Sequence, residues 1–155
     1  MNSPRFYFDI YKRYVNTPDI ANLKVLEINT TGTLSSQMWK QLCTSITVES
    51  DLSKVGDHEF DFCHINLTDY NNLVALIKQL NLQKRPHGTH YILLGNKVAA
   101  WENIKLLQQD EDLRKDGRVF YTVADLGILS YKIKKPDQTV IRDVVEPEAT
   151  LLEYR

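Results

Sequence analysis

The apolar residues of the chain fall into short runs that polar segments separate. Four of these runs have the length and composition of strands buried in a sheet, and turn-forming residues flank most of them. They span residues 23–28, 46–49, 60–65 and 91–94. We therefore expect four strands before residue 100, with polar connections at their ends.

Between the strands, apolar residues recur every three or four positions, which predicts amphipathic helices. The predicted helices span about residues 3–15, residues 35–43, a segment capped by Asp69 that reaches residue 80, and residues 98–109. Two further strands, 118–124 and 128–133, are separated only by Asp125, Leu126 and Gly127, so we expect an antiparallel hairpin there.

Helices that alternate with apolar strands favour parallel pairing, since a parallel return requires a long crossover. The order predicts an α/β fold: a Rossmann-like three-layer sandwich with a mostly parallel sheet and a C-terminal antiparallel hairpin. One domain is expected over residues 1–135, beginning with the helix at about 3–15. Residues 136–155 are polar and are expected to form a C-terminal strand or a tail.

Composition limits the classes of partner, compartment and metal site that we expect for this chain. The 155 residues carry a net charge of -1, which argues against a nucleic-acid partner because such proteins usually show a basic excess. No apolar run approaches the roughly 18 residues of a membrane span. Two cysteines and no apolar leader favour a cytoplasmic protein without a disulfide framework. His87 and His90 have no neighbouring Cys or paired carboxylate, so no metal site is expected.

Several short motifs occur in the order typical of class I S-adenosylmethionine (SAM) methyltransferases. Residues 25–30 (VLEINT) resemble the family's first motif, VLEIGT, and residues 48–51 resemble its second, with an acidic residue at a strand end. Residues 60–66 resemble the strand that ends in IDG, and residues 85–88 stand where the family has KPGG. The segments 3–9, 101–105 and 122–129 resemble the ends of one bacterial subgroup.

The resemblance implies SAM as cofactor and a set of residues that would bind it. These are Glu27, Asn29, Gly32, Glu49, Asn66 and Asp69. By resemblance, Glu27 would lie near the amino-acid end of SAM and Glu49 would accept hydrogen bonds from its ribose hydroxyls. Alternatively, Glu27 caps a neighbouring helix and Glu49 is an exposed strand end. His64, within an apolar strand, is expected to be a core histidine.

The sequence departs from the family where the cofactor would be contacted. Asn29 stands in place of the first glycine of the turn, whose lack of a Cβ normally admits the cofactor. Asn66 and Leu67 replace Asp and Gly, and the segment between residues 48 and 60 is too short for a full helix–strand unit. We expect this shortening to remove part of the adenine pocket.

Three functions remain open on the sequence alone, and whether the chain is an enzyme is open with them. The first is a reduced methyltransferase-like domain with weakened or lost catalysis and a binding or assembly role, as a homo-oligomer or with a protein partner. The second is an active small SAM-dependent methyltransferase, since methyl transfer depends mainly on positioning. The third is a binder of another nucleotide-like ligand.

Overall fold

The computed structural model describes residues 24–29, 37, 39–41, 43, 45–67, 73–82, 85, 90–95 and 101–155. Within the last range, the side chains of residues 126–131, 133 and 144–148 lie outside the description. The predicted helix at about 3–15 and the candidate ligand residues Gly32 and Asp69 also lie outside the described residues.

Six strands form one mixed sheet in the order β2-β1-β3-β4-β6-β5. The strands are β1 (Lys24–Asn29), β2 (Ser45–Glu49), β3 (Phe62–Asn66), β4 (His90–Gly95), β5 (Phe120–Lys134) and β6 (Val140–Tyr154). The first four are parallel to one another, and β6 runs antiparallel to both β4 and β5. This arrangement confirms the predicted α/β fold with a mostly parallel sheet and a closing antiparallel hairpin.

The main hydrophobic core lies on one face of the sheet. It is formed by alternate strand residues such as Leu26, Cys63 and Ile92, because successive side chains of a strand point to opposite faces. A 3₁₀ helix (Leu52–Asp57) and helices α1 (Leu73–Gln79) and α2 (Trp101–Gln109) supply the opposing side chains, among them Val55, Leu76, Ile77, Ile104 and Leu107.

Trp39 covers the opposite face. It belongs to a helical stretch that includes residues 37 and 39–41, and its ring packs against Phe62, with centroids 5.4 Å apart. Phe62 alternates with Cys63, whose side chain is in the main core. Side chains from helices therefore meet both faces of the sheet, as expected for three layers. No helix among the described residues is long and apolar enough to cross a membrane.

The predicted position of the hairpin turn is wrong. Residues 125–127 lie inside β5, and the turn is formed by residues 135–139, where the Lys135 N–H donates to the Thr139 carbonyl over 2.9 Å. Asp125 is held in the strand because its Oδ1 accepts a hydrogen bond from Thr150 Oγ1 at 2.9 Å. A contact 25 residues away in sequence thus outweighs the local turn preference of Asp and Gly.

The C-terminal segment is a strand inside the sheet. Residues 140–154 form β6 between β4 and β5, and Leu151, Leu152 and Tyr154 are completely buried. The polar connection at residues 51–59 contains the 3₁₀ helix. It leads from β2 to β3 without an intervening strand.

Candidate functional site

The order in which the strands are added to the sheet reverses between β1 and β3. From β1 the chain passes to β2 on one side and then returns to β3 on the other, so connections leave on both sides of the β1–β3 pair. Open α/β sheets bind ligands at such a switch point, outside the carboxyl ends of the strands. Here those ends carry Asn29 and Asn66, which lie opposite each other in the parallel register.

Glu27 and His64 form the next pair on the same face, also opposite each other in register. All four side chains of the two pairs are buried, with at most 3% of their surface exposed. Asn29 Nδ2 donates to Glu27 Oε1 at 3.3 Å, and the same oxygen lies 3.7 Å from His64 Nδ1. The hydrogen bond from Asn29 therefore holds Glu27 within the protein.

His64 is neutral in the folded protein, because complete burial lowers its pKa from 6.5 to about 3. Its Nδ1 accepts a hydrogen bond from Trp39 Nε1 at 3.5 Å, which assigns the ring proton to Nε2. The expectation of a core histidine is confirmed. His64 links the face of the sheet under the switch point to the helical layer around Trp39.

Glu49 ends β2 and is held by two donors of the chain itself. Its Oε1 lies 2.8 Å from His58 Nε2, and its Oε2 accepts the backbone N–H of Asp51 at 3.1 Å. The hydrogen bond with His58, followed by that from Asp51, lowers the pKa of the Glu49 carboxyl. The alternative of a simple exposed strand end is wrong, since only 16% of the Glu49 side chain is exposed.

The 3₁₀ helix fixes the position of His58, which follows its last residue. Asp51 caps the helix by accepting the Ser53 N–H at 3.0 Å, and Val55 is completely buried in the core. At its far end, Arg85 Nη2 donates to the His58 carbonyl at 2.6 Å. The His58 backbone is therefore anchored from two sides, and its ring is directed at Glu49.

At two positions that the resemblance implies for SAM, the described side chains are engaged within the chain. A buried Asn29 side chain stands where the family has a glycine without a side chain, and it is bonded to Glu27. Each oxygen of Glu49 already accepts a hydrogen bond from the chain. Among the described residues, no group of three or more His, Cys, Asp or Glu side chains could hold a metal ion.

Sequence reasoning missed His58 and a second cluster at the opposite end of the sheet. Arg118 is 4% exposed, lies over the Tyr154 ring at 4.4 Å, and donates to the Leu82 carbonyl at 3.1 Å. Arg85 similarly donates to the Leu80 carbonyl at 2.9 Å. Because cations near a helix C-terminus satisfy its last carbonyls, we interpret this cluster as structural support for the end of α1.

Comparisons with known proteins find likenesses only at the level of structure. No family profile matches the chain, and no curated protein sequence matches it. A precorrin 8W decarboxylase from Methanobacterium thermoautotrophicum matches 99% of this chain and 90% of its own, at 10% identity and a TM-score of 0.50.

Two solved transferase structures also match 99% of the chain. A release factor-specific protein-(glutamine-N5) methyltransferase from Alicyclobacillus acidocaldarius is matched over 93% of its length, at 10% identity and a TM-score of 0.45. A dimethyladenosine transferase from Plasmodium falciparum is matched over 62%, at 15% identity and a TM-score of 0.48.

The chain has a Rossmann-like α/β fold. The sheet order and the likeness to the decarboxylase confirm this part of the sequence interpretation. Identities of 10–15% concern the fold alone, because one fold hosts many activities.

Proposed function

We propose that this chain is a methyltransferase-like domain whose catalysis is weakened or lost and which has a binding or assembly role. The observation that carries the proposal is the contact between Asn29 and Glu27. Both side chains are buried at the switch point and joined by a hydrogen bond, so the carboxylate that would lie near SAM in the family is engaged by a side chain that the family lacks at this position.

The energetics favour this interpretation. A ligand group that replaced Asn29 at Glu27 Oε1 would have to satisfy both separated side chains, since a buried polar group left without a partner costs about 1–3 kcal/mol. A glycine at position 29 would impose no such cost and would let the cofactor lie close to the backbone. The chain therefore lacks the glycine that favours SAM binding in the family.

A binding test separates the proposal from its two alternatives. We expect no heat of binding in calorimetry with SAM or S-adenosylhomocysteine at millimolar concentration. Micromolar binding that is lost in Glu27→Ala or Glu49→Ala would instead support an active small methyltransferase. Thermal stabilisation by nucleotides but not by SAM would support a different nucleotide-like ligand.

The long hairpin is the surface that we assign to assembly. β4 ends at Gly95, opposite Ala149, but β5 and β6 remain paired as far as Lys134 and Val140. At about 3.3 Å per residue, this two-stranded arm extends roughly 25–30 Å beyond β4. Such a ribbon is marginally stable alone in water, and Ile141 near its tip is 58% exposed.

Sizing with light scattering tests the assembly role. We expect concentration-dependent self-association that Ile141→Lys weakens, because the substitution places a charge on the exposed apolar tip. Thr139→Lys is the matched control, since Thr139 is an exposed polar residue in the adjoining turn. A monomer at high concentration for the unaltered chain would count against self-assembly through this arm.

A further inference from the structure

We propose that His58 closes a binding position for a vicinal diol at Glu49, so that a ribonucleoside must displace the imidazole to bind. The inference deepens the proposed function and rests on it. The fold retains the strand-end carboxylate of Glu49, and the His58 side chain of the same protein takes the place that a ligand would take. It concerns affinity and requires no catalytic step.

The contact has the chemistry of the ligand it would exclude. A ribose diol presents two O–H donors to a carboxylate, one for each oxygen. In this chain His58 Nε2 takes Oε1 at 2.8 Å, and the Asp51 N–H takes Oε2 at 3.1 Å. Hydrogen bonds to an ionised carboxylate are stronger than neutral ones, so the imidazole is an effective competitor for Oε1.

Of the two donors, His58 is the one that can leave. The Asp51 N–H belongs to the backbone beside a capped 3₁₀ helix, and moving it would disturb that helix. The His58 ring can rotate about its own side-chain bonds while its carbonyl remains bonded to Arg85. The side chain is 28% exposed, so solvent can take over the hydrogen bond that it gives up.

The surrounding structure explains why the occupied state persists. Gly56 lies so close to α1 that a Cβ added there would be 2.4 Å from the Gln79 carbonyl oxygen. Together with buried Val55, this contact fixes the 3₁₀ helix against α1. His58 is thus presented to Glu49 without a further loss of backbone freedom, which favours the internal contact over a ligand.

The test compares adenosine with 2′,3′-dideoxyadenosine, which lacks both hydroxyls, using NMR titration of the full chain. We expect His58→Ala to bind adenosine about tenfold more tightly than the unaltered chain, because one charge-assisted hydrogen bond no longer competes. Dideoxyadenosine should gain nothing. His58→Gln, whose amide can still donate to Glu49, should remain as weak as the unaltered chain.

A double variant checks the route of the gain. Adding Glu49→Gln to His58→Ala should abolish the increase in adenosine affinity. If the alanine variant does not fold, His58→Asn serves instead, since its shorter amide cannot reach Glu49 in the same way. Equal adenosine affinity with and without His58, or an equal gain for dideoxyadenosine, would overturn the inference.

The outcomes also distinguish this inference from the proposed function. Micromolar SAM binding with methyl transfer by the unaltered chain would defeat the proposed function, whatever His58→Ala does to adenosine. Failure of His58→Ala to increase adenosine affinity would defeat the role of His58 and leave the proposed function standing.

Discussion

Replacing Leu152 with Ala tests whether the C-terminal segment is an integral strand of the sheet. Leu152 is completely buried, with a solvent exposure of 0%, and it belongs to the main core cluster. The substitution removes three carbon groups, each worth about 0.8 kcal/mol of transfer free energy. With the cavity that remains, we expect a loss of about 3 kcal/mol, within the usual range for buried leucines.

Ile141→Ala is the matched control because it shortens an aliphatic side chain of the same strand. Ile141 is 58% exposed near the tip of the arm, and surface substitutions usually change stability by no more than about 0.5 kcal/mol. For a chain of this size, about 3 kcal/mol corresponds to a decrease in Tm of roughly 6–12 °C.

The assay is urea unfolding followed by circular dichroism, with calorimetry for the Tm, at a protein concentration where both variants have the same oligomeric state. A large loss for Leu152→Ala and a small one for Ile141→Ala is the expected result. Equal losses, or a loss below about 0.5 kcal/mol for Leu152→Ala, would refute the placement of β6 between β4 and β5.

Three further measurements address the face under the switch point and the packing around α1. The pKa of His64 is lowered from 6.5 to about 3, so the unfolded chain binds this proton more readily; stability present above pH 6.5 should be lost as pH falls toward 3. Urea unfolding should show a loss of about 2 kcal/mol between pH 6.5 and 5, and His64→Gln should flatten that dependence; an unchanged slope would contradict the neutral buried ring. Arg118→Lys keeps the charge but loses the planar fork and its stacking on Tyr154, so thermal unfolding should show a loss of about 1–3 kcal/mol, whereas a neutral effect would argue against a structural role. Gly56→Ala brings a Cβ within 2.4 Å of the Gln79 carbonyl oxygen and should cost about 1–3 kcal/mol through overpacking; an unchanged Tm would mean that the 3₁₀ helix is not packed tightly on α1.

Three strands of the parallel half, β1, β3 and β4, could be predicted because they are buried on both faces. Residues 25–29 of β1, all of β3 and nearly all of β4 are buried, and strands of this kind appear in sequence as almost continuous apolar runs. His64 and Asn66 are polar and interrupt the apolar run of β3, but the run remains recognisable. Local pattern and tertiary environment agree there.

The antiparallel half could be predicted only in outline. Asp125 and Gly127 are turn formers by local chemistry, whereas their place in β5 depends on β6, through contacts such as that between Asp125 and Thr150. β6 itself combines an exposed, charged first part around Arg142 and Asp143 with a buried last part. No single period describes such a strand, so the sequence alone leaves it as a strand or a tail.

The sequence predicted where four candidate site residues lie along their strands, but not which side chains they contact. Glu27, Asn29, Glu49 and Asn66 lie at or near the carboxyl ends of their strands, as the motif resemblance implies. The bond between Asn29 and Glu27 joins two side chains of one strand. By contrast, the approach of Glu27 to His64 depends on the parallel register, and the contact of Glu49 with His58 depends on the 3₁₀ helix. Neither is encoded in a local pattern, because both arise from the way separate segments pack.

The position of β6 between β4 and β5 also constrains the order in which the sheet can form. Among the described residues, β5 joins the sheet only through β6, although β5 comes first along the chain. β5 can pair with the first part of β6 across the local turn, but the two strands can join the parallel half only when residues 149–154 are available to pair with β4. Closing that long-range pairing is slow compared with local structure formation, so the completion of β6, more than the assembly of the parallel half, should set the folding rate.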